Sequence, residues 1–416
     1  MENNNSFDFL KKIAYERTGG SEAELKTANL IITECHKYHV EAHLEEFLVD
    51  GYEIKNATLE TIDGNYEVTG VGMSGSTGVD GLVGELILIE SDDELQNMNS
   101  LEGKIVYIST RMMVKTYKLL CEKKASGFIC TSGSLYDEVE NTDLEKMTLR
   151  QRHYEHGKIP GVCIRMKDAQ KLLLSKPKEV KINLQQDEFK LSSHNVVATI
   201  NGSSKKDEII CFTAHYDSVP FSTGAYDNGT GTTTILEALA YFSKNRPIRT
   251  LKFIWCGSEE MGLLGSKAYT EAHKEELEQY KLCINVDMTG VVIGHDIACC
   301  TSEKSLVHYI NYMGRECGFS IQARQGVYSS DSTPFADQGI PAVSFARLAP
   351  RGGAEIHSRK DVMDFLDSEN YYRTCEFLIS FAERMIGSVY FPVEKSIPEE
   401  MKKELDSYLG RTDEKK

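Results

Sequence analysis

The sequence predicts an α/β protein built on a mixed, mostly parallel sheet sandwiched by helices, with a second, smaller α/β module inserted into it. Three features of the 416-residue chain lead there. Runs such as Ile209-Ile-Cys-Phe-Thr, Leu251-Lys-Phe-Ile-Trp and Leu282-Cys-Ile-Asn-Val are continuously apolar, as strands covered on both faces are. From about residue 195 to 386 such strands alternate with helix-length segments, the rhythm of a parallel sheet. Between about 65 and 190 the pattern changes to strand-rich, glycine-rich segments, which marks a separate module.

In chain order, residues 7–17 and 22–38 carry apolar positions at helical spacing. Thr18-Gly19-Gly20-Ser21 divides them as a helix stop followed by a fresh N-cap. The middle module reads as strands at Gly81-Leu-Val-Gly, Lys104-Ile-Val-Tyr-Ile-Ser, Gly127-Phe-Ile-Cys-Thr and Gly161-Val-Cys-Ile, with helices at 112–124 and 167–174. A polar hinge, residues 185–194, leads back to the larger sheet. The tail from Ser396 to Lys416 is charged, and at most one exposed helix followed by disorder is expected there. The domain reading is therefore 1–65 with 190–395, an insert at 66–189, and a tail at 396–416.

Composition excludes several function classes. Formal net charge is −16 and the basic residues are scattered, so neither nucleic acid nor an anionic membrane is an expected partner. No stretch approaches the roughly 20 apolar residues of a spanning helix, and Met1-Glu-Asn-Asn-Asn-Ser lacks the basic and apolar regions of a secretory signal. Eleven cysteines occur without a C-x-x-C pair, several of them inside apolar strands, as free thiols do. A cytoplasmic protein is expected, with its oligomeric state open and a homodimer among the options. The vicinal Cys299-Cys300 reads as ordinary strand cysteines.

The chemistry-bearing residues sit at strand ends. In an open α/β sheet, ligands bind beyond the carboxyl ends of the strands, where loops are free and helix N-termini converge. His215 and Asp217 close the run from Ile209; Asp227 lies in the loop Thr223-Gly-Ala-Tyr-Asp-Asn-Gly-Thr-Gly; Glu259 and Glu260 follow Phe253-Ile-Trp-Cys-Gly-Ser. Asp287 closes the run from Leu282, and His357 follows the strand Ala342-Val-Ser-Phe-Ala. A lone histidine at a strand end is ordinarily structural, and a Glu-Glu pair is ordinarily solvated; the joint occurrence points to metal. His215, Asp227, Glu260, Asp287 and His357 are too many for one tetrahedral ion with an open position, but suit two ions sharing a carboxylate. Three carboxylates against four positive charges leave a surplus that acidifies bound water. Glu259, adjacent to a ligand, is the candidate general base. His215-x-Asp217 has strand spacing, which lets Asp217 orient the imidazole. His153-Tyr-Glu-His156 lacks carboxylate partners and reads as a loop, His36, His39 and His43 read as surface, and Gly229-Thr-Gly231 is too weak for a phosphate loop.

At these residues the sequence resembles the M28 family of zinc aminopeptidases. His215-Tyr-Asp217, Asp227-Asn-Gly229, Glu259-Glu260, Asn285-Val-Asp287 and His357-Ser-Arg-Lys-Asp361 carry the likeness over residues 1–65 and 190–390. The resemblance implies the zinc-exopeptidase fold, a peptide substrate and two Zn2+ ions, with Co2+ or Mn2+ as alternatives. It assigns His215, Asp227 and Asp287 to one ion and Asp227, Glu260 and His357 to the other, and implies a cis peptide between Asp227 and Asn228. Leu101-Glu-Gly-Lys-Ile-Val-Tyr and Lys124-Ala-Ser-Gly-Phe-Ile are similar to a protease-associated (PA) domain, an insert that in this family covers the active-site edge. Two positions depart from the pattern. Ile356 stands where many relatives have a tyrosine that polarises the scissile carbonyl, for which Tyr328 and Arg351 are candidate substitutes, and Ser330-Asp-Ser-Thr-Pro-Phe335 replaces a serine-aspartate-histidine. The expected activity is removal of N-terminal residues. The alternatives are a carboxypeptidase or amidohydrolase with the same core, and a non-catalytic binding protein.

Overall fold

A computed structural model describes residues 5–411. The readings of the first residues and of disorder at the extreme C-terminus fall outside them. The chain forms two compact units, residues 1–49 with 191–416, and residues 50–190. It passes between them within two long strands, Ala42–Thr61 and Glu179–Ile200. The boundary thus falls at 49/50 instead of 65, and the expected hinge at 185–194 is the middle of a strand. Its polarity has a local reason: Gln186 Nε2 donates to the Gly75 carbonyl at 2.7 Å within the smaller unit.

In the larger unit four parallel strands, Ala342–Leu348, Tyr280–Val286, Lys205–His215 and Arg249–Cys256, lie side by side in that order. Residues 196–200 add an antiparallel edge, as does His295–Thr301 on the far side, followed by Ile321–Gln325. Lys205–His215 is central because the chain moves to one side of it for the next strand and to the other for the one after. That reversal opens a crevice at its carboxyl end. Helix Thr230–Lys244 covers the sheet and is buried almost all round, as its run of threonine, isoleucine, leucine and alanine requires. Trp255, fully buried, donates its indole N–H to Thr232 O at 2.9 Å. Gly231 permits this packing, since a Cβ there would sit 2.3 Å from Val286 O.

The opening helices are Ser6–Ile13 and Glu22–Lys37. The first stops four residues short of the expected 17 because its carbonyls are diverted: those of Ile13 and Tyr15 accept from the buried Arg17 guanidinium at 2.9 and 3.0 Å. Ser21 caps the second, accepting from Glu24 N at 3.1 Å. The tail departs from expectation. Helix Glu399–Tyr408 is not an exposed appendage, for Met401 and Leu405 are buried with Phe335, Ala336 and Ile340.

The smaller unit has parallel strands Leu82–Ile89, Lys104–Ile108, Gly127–Ser132 and Gly161–Arg165 in that order, flanked by helices including Val114–Glu122 and Met166–Ser175. His153 lies in a short helix, Gln151–Tyr154, with its ring edge-on to Tyr117. It joins no candidate metal cluster among the described residues. All eleven cysteines are free. Among the described residues no helix is long and apolar enough to cross a membrane.

Candidate metal centre

The carboxyl ends of the four parallel strands bring the seven expected residues together. His215 is the last residue of its strand, held by Thr232 Oγ1 donating to its carbonyl at 2.7 Å. Its Nε2 lies 3.2 Å from Asp227 Oδ1 and 3.7 Å from Asp287 Oδ1. The other Asp227 oxygen, Oδ2, lies 3.2 Å from His357 Nε2, which is 3.3 Å from Glu260 Oε2. Two triads thus form, His215–Asp227–Asp287 and Asp227–Glu260–His357, with Asp227 in both. Ligand atoms about 2.1 Å from a tetrahedral zinc ion stand about 3.4 Å apart. The observed separations bracket that edge, so both triads fit a divalent ion.

Electrostatics argue the same way. Asp217, Asp227, Glu259, Asp287 and Asp331 are all buried, and so many anions without resident cations are untenable in a low-dielectric site. Burial pushes the Glu259 carboxyl well up; the charge of His215 opposes this, and Glu260, Asp331 and Asp287 add to it. Burial also raises Glu260, with Asp227 next and His357 opposing. For Asp227 burial acts upward, but bonds to His215 and His357 win and hold it low. Burial pulls His357 down, yet Asp227 and Glu260 lift it to about 11. Each imidazole is thus poised to be cationic between carboxylates, a place a metal ion takes when it binds.

The supporting residues explain why the loops hold this shape. Asp217 Oδ1 and Oδ2 accept the backbone N–H groups of Glu259 (3.0 Å) and Glu260 (3.2 Å), while His215 Nδ1 lies 3.4 Å from Oδ1. Asp217 therefore fixes the Glu259-Glu260 backbone as well as facing the imidazole, which its strand spacing alone did not disclose. Asn228 Nδ2 donates to Val286 O (2.9 Å), and its Oδ1 accepts from Gly231 N (2.9 Å) and Met288 N (3.0 Å), tying the Asp227 loop to that of Asp287. The Asp227–Asn228 peptide is cis. Ser258, Met288 and His357 all have positive φ, a clustering of strained backbone common at functional sites.

Three further residues went unassigned in the sequence. Asp361 accepts from Tyr226 N (2.7 Å) and Asp227 N (3.1 Å), and burial first, with Asp227 adding and the Tyr226 N–H opposing, brings it to about 6. Its place in His357-Ser-Arg-Lys-Asp361 was the available signal. Arg17, fully buried, donates to the carbonyls of Tyr216, Thr223 (2.5 Å) and Gly224 (2.7 Å), below the loop that leads to Asp227. Nothing in the local pattern singled it out. Glu24 accepts from Ser258 N and Ser193 Oγ, each at 2.9 Å, and from Gly20 N at 2.7 Å, and burial with the Asp217 charge raises it to about 8. Of the candidate carbonyl polarisers, Arg351 is exposed, whereas burial and the nearby Asp287 and Asp227 charges push the Tyr328 phenol up.

The profile of peptidase family M28 matches residues 195–382, the stretch that contains all seven residues. Over 346 residues the chain is 28% identical to Aminopeptidase YwaD of Bacillus subtilis (strain 168), covering 79% of this chain and 71% of that protein. The stretch that carries the metal centre is similar to peptidase family M28, and the chain is a metallo-exopeptidase. It is also similar to Carboxypeptidase Q of Homo sapiens, with 28% identity over 319 residues, 72% of this chain and 66% of that one. Among solved structures, BSAP, a zinc aminopeptidase from Bacillus subtilis, superposes with a TM-score of 0.76 at 23% identity, over 95% of this chain and 98% of that one. The mixed, mostly parallel sheet of this peptidase is the fold of those neighbours, and its substrates are peptides.

Proposed function

We propose that this peptidase removes N-terminal residues from peptides, using two zinc ions and Glu259 as general base. The observation that carries the reading is the sharing of Asp227, each of whose oxygens stands 3.2 Å from a different imidazole, His215 or His357. His215, Asp227 and Asp287 would hold one ion; Asp227, Glu260 and His357 the other. Bound there, the ions would supply acidified water and an electrophile for the scissile carbonyl. Glu259, buried beside Glu260 and fixed through its backbone N–H by Asp217, takes a proton from the attacking water and returns it to the leaving amine. A raised carboxyl pKa suits that return step.

Charge supports the amino end over the carboxyl end. Asp217, Asp227, Glu259, Glu260, Asp287 and Asp331 bring six negative charges against four from two ions, so the cleft favours an ammonium group. Aminopeptidase YwaD, matched over 79% of this chain, and the BSAP zinc aminopeptidase, superposed over 95% of it, both carry the name aminopeptidase. A carboxypeptidase is the second reading, favoured by the likeness to Carboxypeptidase Q. Amino acids released from free, N-acetylated and C-amidated peptides separate the two. Loss of activity with the N-acetylated peptide alone, with a chelator, and in Glu259→Gln supports the proposal, and activity that survives metal removal refutes it. We further read the 50–190 unit as PA-like and the location as cytosolic, in keeping with the free cysteines.

A further inference from the structure

The segment 326–331 flanks the metal centre. Asn285, two residues before Asp287, donates through Nδ2 to Ser330 Oγ at 3.0 Å. The Tyr328 carbonyl accepts from Ser330 N (2.8 Å) and Thr333 Oγ1 (2.7 Å), which folds the segment into a tight turn with Tyr328 at its head. Helix Glu399–Tyr408 grips that turn from behind, and it lies beyond the residues that the M28 profile matches. Glu404 Oε1 accepts from Val327 N at 3.1 Å, and the Tyr408 and Ser329 hydroxyls are 2.6 Å apart. These contacts fall on the two immediate neighbours of Tyr328. Met401 and Leu405 seat the helix in the core, and Arg411 pins its end with two 2.6 Å bonds to Asp337. The apolar seat alone would keep the helix in place. A carboxylate directed at one backbone N–H of the turn, with a hydroxyl pair two residues on, adds control of the turn's shape.

We propose that the C-terminal helix is a positioning element for the substrate cleft, in which Glu404 and Tyr408 set the 326–331 turn and, through it, the placement of Tyr328 against bound peptide. Glu404 and Tyr408 touch neither ligands nor substrate; they act through Tyr328. The inference rests on the exopeptidase reading of the centre. It extends the working part of the molecule past the matched domain.

The test uses the full chain and a free, unblocked peptide, comparing Glu404→Ala combined with Tyr408→Phe, Tyr408→Phe alone, and Glu404→Gln. Loss of the two polar contacts should raise KM roughly tenfold with kcat and zinc content unchanged, the single Tyr408→Phe change giving part of that effect. Glu404→Gln keeps an oxygen acceptor for Val327 N–H and should stay near the parent. Hydrogen–deuterium exchange of amides 326–331 should quicken in the double variant only where KM rises. Unchanged exchange overturns the proposal. So does quickened exchange with KM unaltered, or a fall in kcat and thermal stability without a rise in KM, which marks a merely structural helix. An inactive parent protein sinks the exopeptidase reading instead, while the exchange result still decides whether the helix sets the turn.

Discussion

Replacing Asp361 by asparagine removes little volume but tests how the bridging Asp227 is held. The Asp361 carboxylate accepts from Tyr226 N–H at 2.7 Å on one oxygen, and from Asp227 N–H at 3.1 Å and Ser222 Oγ at 3.3 Å on the other. Asparagine keeps one acceptor and turns an NH2 group toward the remaining donor. One charge-assisted bond, about 1.5–3 kcal/mol, is lost, and two donors then face each other in a buried place. Only the part of that loss felt by the ligand loop reaches the metals, so zinc affinity should fall about 10–100-fold, the range typical of residues that support ligands from behind. Competition against a fluorescent chelator at neutral pH measures it, alongside the melting temperature of metal-free protein. A variant with a lowered metal-free melting temperature but unaltered zinc affinity would refute the reasoning, since Asp361 would then brace the fold without setting the metal loop.

Other outcomes follow from the same geometry. On the proposed two-ion reading, Glu259→Gln keeps every candidate ligand, so its zinc content should match the parent's while kcat falls about 10²–10⁴-fold; loss of zinc from this variant would remove Glu259 from the role of base. Arg17→Met leaves the buried carbonyls of Tyr216, Thr223 and Gly224 without a donor and should destabilise the larger unit by about 3–5 kcal/mol in urea unfolding, with Arg17→Lys between it and the parent because an ammonium cannot fork. A stable Arg17→Met protein would contradict that account. Burial chiefly, helped by Arg152, lowers His153 in the smaller unit to about 4. The unfolded chain protonates below about 6.5, so the stability His153 contributes is complete above that pH and is lost as pH falls toward 4, by no more than about 2 kcal/mol given partial solvent access. Protection factors of amides 151–164, which remove the intrinsic pH dependence of exchange, should therefore fall from pH 7 to 5 in the parent and not in His153→Phe, and equal slopes would count against it.

What could be read from the chain was what repeats or what reacts. Strands Lys205–His215, Arg249–Cys256 and Tyr280–Val286 announce themselves because burial on both faces demands unbroken apolar runs. Ala42–Thr61 went unread for the opposite reason: it is half exposed along most of its length, with charged residues on both faces. The Glu179–Ile200 strand reads as a hinge at its centre because the run Gln185-Gln-Asp-Glu188 is polar, although the strand continues through it. The charged composition of the tail helix predicts exposure, although two apolar residues four apart, Met401 and Leu405, suffice to seat it.

The centre divides in the same manner. His215, Asp227, Glu260, Asp287 and His357 stand out as candidates because each lies at or beyond the carboxyl end of a strand and is chemically unusual there. Arg17, Glu24 and Asp361 do not, because their roles are defined by what they face. Arg17 meets carbonyls about 200 residues away and Glu24 meets Ser258, 234 residues on, pairings that no local spacing encodes. Yet these residues decide whether the ligands meet at all. Arg17 shapes the loop before Asp227, Glu24 the turn before Glu259, and Asp361 the peptide entering Asp227, so the metal-binding loops rest on buried charges drawn from both ends of the larger unit. If that is right, double variants pairing Arg17 with Asp361 should be less than additive in zinc affinity, since both constrain the same 222–227 loop, whereas Glu24 paired with Asp361 should be additive.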